Sequence, residues 1–222
     1  SPLLFLRGVL AARHAYRAGA PAFVPERAGD AADPYRPWLR QNRLAPALRT
    51  RLSASATALA GRGRGLALIA DLRETSTGQV HELASSLRAQ IYPDWELWLP
   101  VPPKAPAGLR GALRRLATTD PRIQFQDTDG GPDAAAVFNA CVERAHAGFI
   151  ALVPGHGRLA PDALLHVAEA AAARPGLELI YTDEDRMEDD GRRHSPQFKG
   201  AWNPALAFSG LFPGNLAFVN RE

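Results

Sequence analysis

Cysteine and methionine are almost missing from this sequence of 222 residues, which contains one of each. The single cysteine, Cys141, excludes an intramolecular disulfide and any metal site that needs a pair of thiolates. Because Cys141 lies in an apolar helical segment, we expect a buried and unreactive thiol. No stretch reaches the roughly 18 consecutive apolar residues that a membrane-spanning helix needs, so no transmembrane helix is predicted.

Lysine is also scarce, since the 26 basic residues include only Lys104 and Lys199 as lysines. The excess of arginine accompanies heavy use of alanine, proline and glycine, which is typical of a GC-rich genome, so the arginine count alone carries no functional argument. The distribution is uneven, however. Residues 1–64 contain 11 arginines and three acids, a net charge of +8, and this leaves −5 of the total of +3 on residues 65–222.

A basic segment of this kind indicates contact with an anionic membrane surface or with nucleic acid. The arginines are scattered and are not interleaved with aromatic residues, as they are in nucleic-acid modules, so no nucleic-acid partner is expected. The remaining expectation is at most a peripheral membrane contact.

Periodicity divides the chain into two regions. Residues 1–64 are predicted to form a basic helical extension, with a helix over 3–18, a proline-rich linker over 19–37 and a helical segment over 38–60 interrupted by Pro46. The helix over 3–18 either lies on a membrane or packs against protein, and packing is favoured. Residues 65–222 alternate strands and helices, which predicts a doubly wound, mainly parallel α/β sheet. Its strands are predicted to begin near residues 66, 95, 123, 149, 177 and 216.

Three carboxylates, Asp183, Glu184 and Asp185, follow the fifth predicted strand. In open α/β sheets ligands bind beyond the carboxyl ends of strands, so these acids are candidates for a metal or sugar site. The alternative is a solvated strand end, and on the three acids alone this alternative is favoured.

Several dispersed segments match the pattern of one known family. Residues 86–97 read S-L-R-A-Q-I-Y-P-D-W-E-L, against the family's S-x-x-A-Q-T-Y-P-x-W-E-L, and residues 181–204 are similar to Y-S-D-E-D-K-x-D-E-D-G-R-R-x-x-P-x-F-K-P-x-W-x-P. Smaller matches at 120–123, 130–131 and 159–164 occur in the family's order. Over roughly residues 66–222 the chain thus resembles family 2 glycosyltransferases, in particular the bacterial branch that builds surface polysaccharides and includes rhamnosyltransferases.

The resemblance implies the Rossmann-like glycosyltransferase A fold and inverting transfer of a sugar from a nucleoside-diphosphate donor to a glycan acceptor. Carboxylate-bound Mg²⁺ or Mn²⁺ would offset the charge on the departing diphosphate, and a carboxylate general base would take the acceptor proton. The donor-binding candidates are Asp71, Asn139, Asp183, Glu184 and Asp185. Asn139 is interpreted equally well as a capping or core polar residue. The expected location is the cytoplasm, with peripheral contact at the inner membrane face at most.

The sequence departs from the family pattern at the donor and metal positions. Residues 100–103 read P-V-P-P where a pair of aspartates is usual, and residues 154–157 read P-G-H-G in place of Asp-His-Asp-Asp. Arg158 and Asn215 replace an acid and a histidine. Asp183, Asp185 and His156 remain as metal candidates, although one imidazole without carboxylate neighbours is a poor Mg²⁺ site. The general base is expected in a C-terminal part beyond residue 222.

These departures leave three interpretations open. The chain is an active transferase that uses Mg²⁺ or Mn²⁺, or a degenerate module retained for scaffolding or acceptor binding, or a segment that depends on another domain of its polypeptide or on a second copy. Loss at two acidic sites with intact core stripes favours degeneracy. Arg192, Arg193 and Lys199 are either diphosphate ligands or a solvated face, which is favoured. Trp202 either stacks on a sugar or closes the core, and the core is favoured.

Overall fold

The computed structural model describes residues 3–6, 33–61, 65–101, 105–127, 134–203, 205, 207 and 213–221, with backbone only for 3–6. In chain order its strands are β1 (Leu3–Leu6), β2 (Leu66–Asp71), β3 (Trp95–Pro100), β4 (Ile123–Gln126), β5 (Phe149–Pro154), β6 (Gly157–Leu159), β7 (Leu179–Tyr181), β8 (Glu184–Met187), β9 (Arg193–Gln197) and β10 (Ala217–Asn220). Its helices are α1 (Tyr35–Gln41), α2 (Pro46–Leu59), α3 (Thr77–Arg88), α4 (Ala107–Thr119), α5 (Ala134–Arg144) and α6 (Ala163–Ala173).

The larger sheet has six strands in the order β4-β3-β2-β5-β10-β7. The strands from β4 to β5 are paired in parallel, whereas β10 is antiparallel to both β5 and β7. Because β10 opposes both of its neighbours, β7 still points in the direction of β5. The predicted α/β fold with a mainly parallel, doubly wound sheet is confirmed.

Alternation along β2 explains how the sheet is covered on both faces. Leu66, Leu68 and Ala70 join the main apolar core, which also contains buried residues of α3, α4 and α6. Ala67 and Ile69 point to the other face, where they pack with residues of α5. A strand buried on both faces is typical of a parallel sheet, and it fits the continuous apolar run in the sequence.

Helix α3 shows how local sequence fixes an element. Its first turn is closed by a capping box in which the Ser76 side chain accepts from the Gln79 backbone N–H and the Gln79 side chain accepts from the Ser76 N–H. Apolar residues at helical spacing form its buried face, namely Val80, Leu83, Ala84 and Leu87. Ile91, which continues this spacing in the sequence, lies beyond the helix end.

A hydrogen-bonded brace ties α3 to the start of α6. Gln90 donates to the carbonyl of Ala160 at 2.7 Å and accepts from the Leu164 N–H at 3.0 Å. Ser86 accepts from the Leu159 N–H at 3.2 Å. Two of the family-like segments, 86–97 and 159–164, therefore hold each other in place. Pro161 lies one position before the N-cap residue Asp162 of α6, and its carbonyl accepts from the Ile91 N–H.

A smaller sheet has the order β6-β1-β8-β9. The predicted helix over 3–18 is wrong for Leu3–Leu6, which form β1 between β6 and β8. Backbone pairing with two neighbouring strands satisfies the amide groups of this segment and overrides its helical periodicity. The rest of that predicted helix lies outside the described residues. Strands β8 and β9 are joined through the acidic turn, where Gly191 has a positive φ of 83°.

The segment before the large sheet packs against it. The predicted break in the helical segment is confirmed, since α1 ends at Gln41 and Pro46 begins α2 at a position that tolerates proline. Ala56 of α2 is buried in the main core, and Tyr35 of α1 is buried as well. Among the described residues, no helix is both long enough and apolar enough to cross a membrane.

One buried titratable residue of α6 has a defined effect on stability. His166 contacts Glu169 through Nδ1 at 3.1 Å and lies 3.6 Å from Asp162 through Nε2. Burial lowers the pKa of His166, but the hydrogen bonds and charges of Asp162 and Glu169 outweigh burial and raise that pKa to about 9. The folded state therefore binds the imidazolium proton more tightly than the unfolded chain does.

We expect this pair of contacts to stabilise the protein fully below about pH 6.5 and to stop doing so as the pH rises through about 9. His166→Gln should remove up to about 3 kcal/mol of unfolding free energy at pH 6 and much less at pH 10. Urea unfolding at both pH values measures the difference. The exposed His81 of α3 is the matched control, and an equal pH dependence in His81→Gln and His166→Gln would contradict the assignment.

Candidate functional site

A cleft opens where β2 ends, beside α5 and the end of β3. A cavity of about 360 Å³ lies there, and among its lining residues are Asp71, Pro100, Phe138, Asn139 and Leu152. A second cavity of about 560 Å³ shares Asp71, Phe138 and Leu152 with the first and continues along β5 and β10. Clefts at the carboxyl ends of parallel strands are the usual ligand sites of open α/β sheets.

Asp71 and Asn139 are brought together in the smaller cavity. Asp71 accepts from Arg73 Nε at 2.9 Å and from Nη2 at 2.6 Å, and these hydrogen bonds hold the pKa of Asp71 below its ordinary value. The Arg73 side chain is 71% exposed, so a ligand can displace it at a cost of about 1 kcal/mol or less. Asn139 lies within α5 with an exposed side chain, so its interpretation as a capping or core residue is wrong.

The three consecutive acids lie inside the protein. Asp183, Glu184 and Asp185 are only 3%, 6% and 1% exposed, so the favoured interpretation of a solvated strand end is wrong. Asp183 Oδ1 accepts from the Lys199 N–H at 2.8 Å, and Glu184 Oε2 accepts from the Asn215 N–H at 2.9 Å. Each acid is thus engaged by a segment distant in sequence.

Asp185 connects the hairpin to the N-terminal region. Its Oδ2 accepts from Arg193 Nε at 2.6 Å and from the hydroxyl of Tyr35. Arg193 also donates to the Tyr35 hydroxyl at 3.2 Å. The interpretation of Arg193 as a solvated residue is therefore wrong, while Arg192 is exposed as expected.

Lys199 is buried with two of the acids. Its Nζ donates to the carbonyl of Thr182 at 2.6 Å and lies 3.4 Å from Glu184 Oε2. Burial lowers the pKa of Lys199, and the neighbouring carboxylates of Glu184 and Asp183 oppose that effect. The favoured solvated position of Lys199 is wrong, because a cation buried here must be paired.

Asp183 is the least satisfied member of this cluster. Among the described residues its buried Oδ2 has no hydrogen-bond partner. Burial raises the pKa of Asp183 to about 6, although the Lys199 N–H and ammonium favour the charged form. Two carboxylates share one ammonium, so the cluster carries excess negative charge when both are ionised.

The metal candidates named from the sequence are not gathered into one site. Asp183 and Asp185 are buried in separate contacts, and His156 lies near enough to Asp71 to lower the pKa of that carboxyl. Over the part of the chain that the structure describes, no group of three or more His, Cys, Asp or Glu side chains is placed to hold a metal. Arg158 turns to α3, where its Nη2 lies 2.5 Å from Glu82.

Two predictions about individual residues change with the structure. Trp202 is 51% exposed, so its predicted place in the core is wrong. Phe138 and Leu152 line both cavities but were not predicted as site residues. In the sequence each of them is an apolar residue of a helix or strand that flanks the cleft. The sequence pattern alone cannot distinguish such a residue from a core residue.

A substitution at Gly214 tests how tightly the side chains around Lys199 are packed. This glycine has a φ of +92°, and a Cβ there would overlap Lys199 Nζ and lie 2.9 Å from Glu184 Oε1. We expect Gly214→Ala to destabilise the fold by about 2–4 kcal/mol, which combines backbone strain with overpacking. Gly191 is the matched control because it also has a positive φ but nothing within 4 Å of a Cβ. Gly191→Ala should cost about 1–2 kcal/mol in urea unfolding, and equal losses would contradict the proposed clash.

The fold is that of a glycosyltransferase. Among solved structures, a mannosyltransferase, PcManGT from Pyrobaculum calidifontis in complex with GDP-Man and Mn²⁺, aligns with 79% of this chain and 56% of its own. The TM-score is 0.50 at 15% sequence identity, a likeness of fold. The glycosyltransferase resemblance stated from the sequence is confirmed.

Sequence comparison finds relatives of the chain in two bacterial proteins. It is 32% identical over 158 residues to the O-antigen biosynthesis protein RfbC of Myxococcus xanthus, and 36% identical over 129 residues to the uncharacterized protein y4gI of Sinorhizobium fredii (strain NBRC 101917 / NGR234). These matches cover 71% and 57% of this chain. The chain spans only 12% and 14% of the two relatives. No protein-family model matches it.

Proposed function

We propose that residues 65–222 form a glycosyltransferase A-like domain of a bacterial polysaccharide-synthesis protein, degenerate in its metal-dependent donor site. The domain is related to enzymes that transfer a sugar with inversion from a nucleoside-diphosphate donor. Residues 1–64 are its basic extension. The single observation that carries this proposal is the burial of the acids at 183–185 in contacts that hold the fold.

The sequence at the other strand ends supports the same proposal. Residues 100–103 contain no acid after β3, and residues 154–158 contain none after β5. Gly155 is tightly enclosed, because a Cβ there would lie 2.6 Å from Thr75 Oγ1 and 2.8 Å from the Asp71 carbonyl. A side chain at position 155, where the family pattern has a histidine, would therefore require the β2 loop to move. Carboxylates are the ligands that Mg²⁺ and Mn²⁺ need at such a site.

The cleft itself retains features of a binding site. Asp71 is ionised and accessible once Arg73 moves, and Asn139 offers an exposed amide on the same cavity. Together they suit the hydroxyl groups of a ribose or of a glycan acceptor. The proposed partners are a nucleoside-diphosphate sugar, a glycan acceptor and another domain of the same polypeptide. The proposed location is the cytoplasm, in peripheral contact with the inner membrane.

A non-catalytic scaffold is the second candidate function. It is favoured by the hydrogen bonds that Gln90 forms with Ala160 and Leu164. These bonds join two family-like segments and stabilise the fold, and they do not face the cleft. In this case the cleft has no nucleotide to bind, and the domain positions its neighbours in the polypeptide.

We expect Mn²⁺ to leave the affinity of this chain for UDP-, GDP- and dTDP-sugars unchanged, because the residues that the structure describes place no carboxylate pair at the cleft to join metal and diphosphate. Isothermal titration calorimetry with and without Mn²⁺ measures this. The Pyrobaculum mannosyltransferase with GDP-Man is the positive control. Clear metal-dependent binding by this chain would overturn the proposed degeneracy.

The same titration separates the two candidate functions. Metal-independent binding that weakens about tenfold in Asp71→Asn, and stays unchanged in the exposed control Asp189→Asn, would assign a nucleotide to the cleft. Absence of binding under all conditions is the result expected of a scaffold.

A further inference from the structure

Helices α1 and α2 and their connection carry an unusual surface. Between residues 34 and 61 the chain has five arginines and no aspartate or glutamate. All five arginine side chains are exposed, and we call them the arginine surface: Arg36, Arg40, Arg43, Arg49 and Arg51. A run of charges of one sign is often only a solvated surface. The ion pairs of these arginines and the side chains next to them therefore decide whether the surface can bind a partner.

Most of the arginine surface is not neutralised by the protein. Arg36 lies 4.0 Å from Asp33, and Arg49 donates to the carbonyl of Ala89 at 3.2 Å. Within the described residues, Arg40, Arg43 and Arg51 form no ion pair. The positive charge is therefore available to a partner, and it stands on a chain whose residues 65–222 carry a net charge of −5.

Apolar side chains accompany these arginines. Leu48 is 37% exposed at the start of α2, and Leu39 of α1 and Leu44 of the connection are partly exposed. A basic surface with an exposed leucine beside it can lie at the boundary between lipid headgroups and acyl chains.

The arginine surface is held firmly on the domain. Tyr35 and Trp38 pack against Phe198 of the β9 end with ring centroids 6.1 Å and 4.9 Å apart. Tyr35 also bonds to Asp185, and Ala56 is buried in the main core. A partner bound to α1 and α2 would therefore fix the orientation of the cleft as well.

We propose that the arginine surface docks the domain on a membrane that contains anionic phospholipids. Guanidinium groups bind phosphate oxygens through paired N–H donors, and the leucines enter the boundary between headgroups and acyl chains. Each basic residue near such a surface strengthens binding by about fivefold, and the attraction weakens with salt. The inference rests on the proposed function only for a membrane-proximal location, since it does not require the cleft to bind a sugar donor.

The test is co-sedimentation of the chain with two kinds of vesicle. One kind contains phosphatidylcholine alone, and the other is phosphatidylcholine with about 30% phosphatidylglycerol, which gives an anionic surface. We expect binding only to the anionic vesicles, with a strong decrease between low and physiological salt. Arg40→Gln, Arg43→Gln and Arg51→Gln combined should weaken it roughly a hundredfold. These three arginines were chosen because their removal breaks no ion pair with a described residue, so the fold should be kept.

The matched control removes three exposed arginines from the other region. Arg115→Gln, Arg174→Gln and Arg192→Gln together change the net charge by the same amount. Circular dichroism confirms that both variants fold. Equal weakening by the two triple variants, or no binding to anionic vesicles, would overturn the proposal.

Binding to a DNA duplex is measured as the remaining comparison. Tighter binding to the duplex than to anionic vesicles, with loss in the Arg40, Arg43 and Arg51 variant, would assign the surface to nucleic acid and overturn membrane docking. None of these binding experiments contains a nucleotide sugar. A negative result for membrane docking is therefore distinguishable from a titration that overturns the proposed loss of the metal-dependent donor site.

Discussion

The burial of Lys199 between Asp183 and Glu184 is the constraint on which the C-terminal half of the structure depends. Lys199 lies in the segment after β9, and its ammonium contacts the Thr182 carbonyl at the end of β7 and Glu184 of β8, while its backbone N–H donates to Asp183. Asn215 extends the contact by donating to the same Glu184 oxygen. Because a buried charge left without a partner costs several kcal/mol, none of these segments can move alone. The glycine at 214 is required since only a residue without a Cβ leaves room for Nζ.

This cluster also explains why the acidic motif is a poor guide to chemistry here. The acids follow a strand of the large sheet, where ligand-binding residues are expected, yet their oxygens accept hydrogen bonds from the protein itself. A metal ion would have to displace Lys199, Asn215 or Arg193 from the oxygens that accept these bonds, whereas the buried Oδ2 of Asp183 has no partner among the described residues. The same residues can therefore mark a glycosyltransferase-like fold and contribute nothing to binding a donor.

The sequence was sufficient for elements whose signal is local. The helix α3 is specified by its capping box and its apolar stripe, and the strands of the large sheet by short apolar runs between turn residues. Strands β6, β8 and β9 were missed because each is short and polar in part, and pairs within a second sheet. The local pattern of β1 predicts a helix, because the two partner strands that make it a strand lie more than 150 positions away along the chain.

The candidate site was predictable in its position but not in its chemistry. Asp71 and Asn139 were named from the sequence and do line one cavity. Burial of the acids could not be inferred, because it depends on partners such as Tyr35, 150 residues from Asp185. A run of charged residues looks the same in sequence whether water or protein supplies its hydrogen bonds.

Some of the contacts that hold the fold lie away from the cleft, and this separation makes degeneracy physically easy. Arg122 stacks on Trp95 at 3.9 Å and bonds to Asp120 at the amino ends of β3 and β4, opposite the cleft. The loops after β3 and β5 make no comparable contact through acidic side chains. Carboxylates clustered at strand ends repel one another and are stabilised chiefly by the metal they bind, so their replacement relieves repulsion and leaves the core intact. A domain of this kind can therefore lose a metal site, keep its glycosyltransferase fold and still present its cleft and its basic surface to other partners.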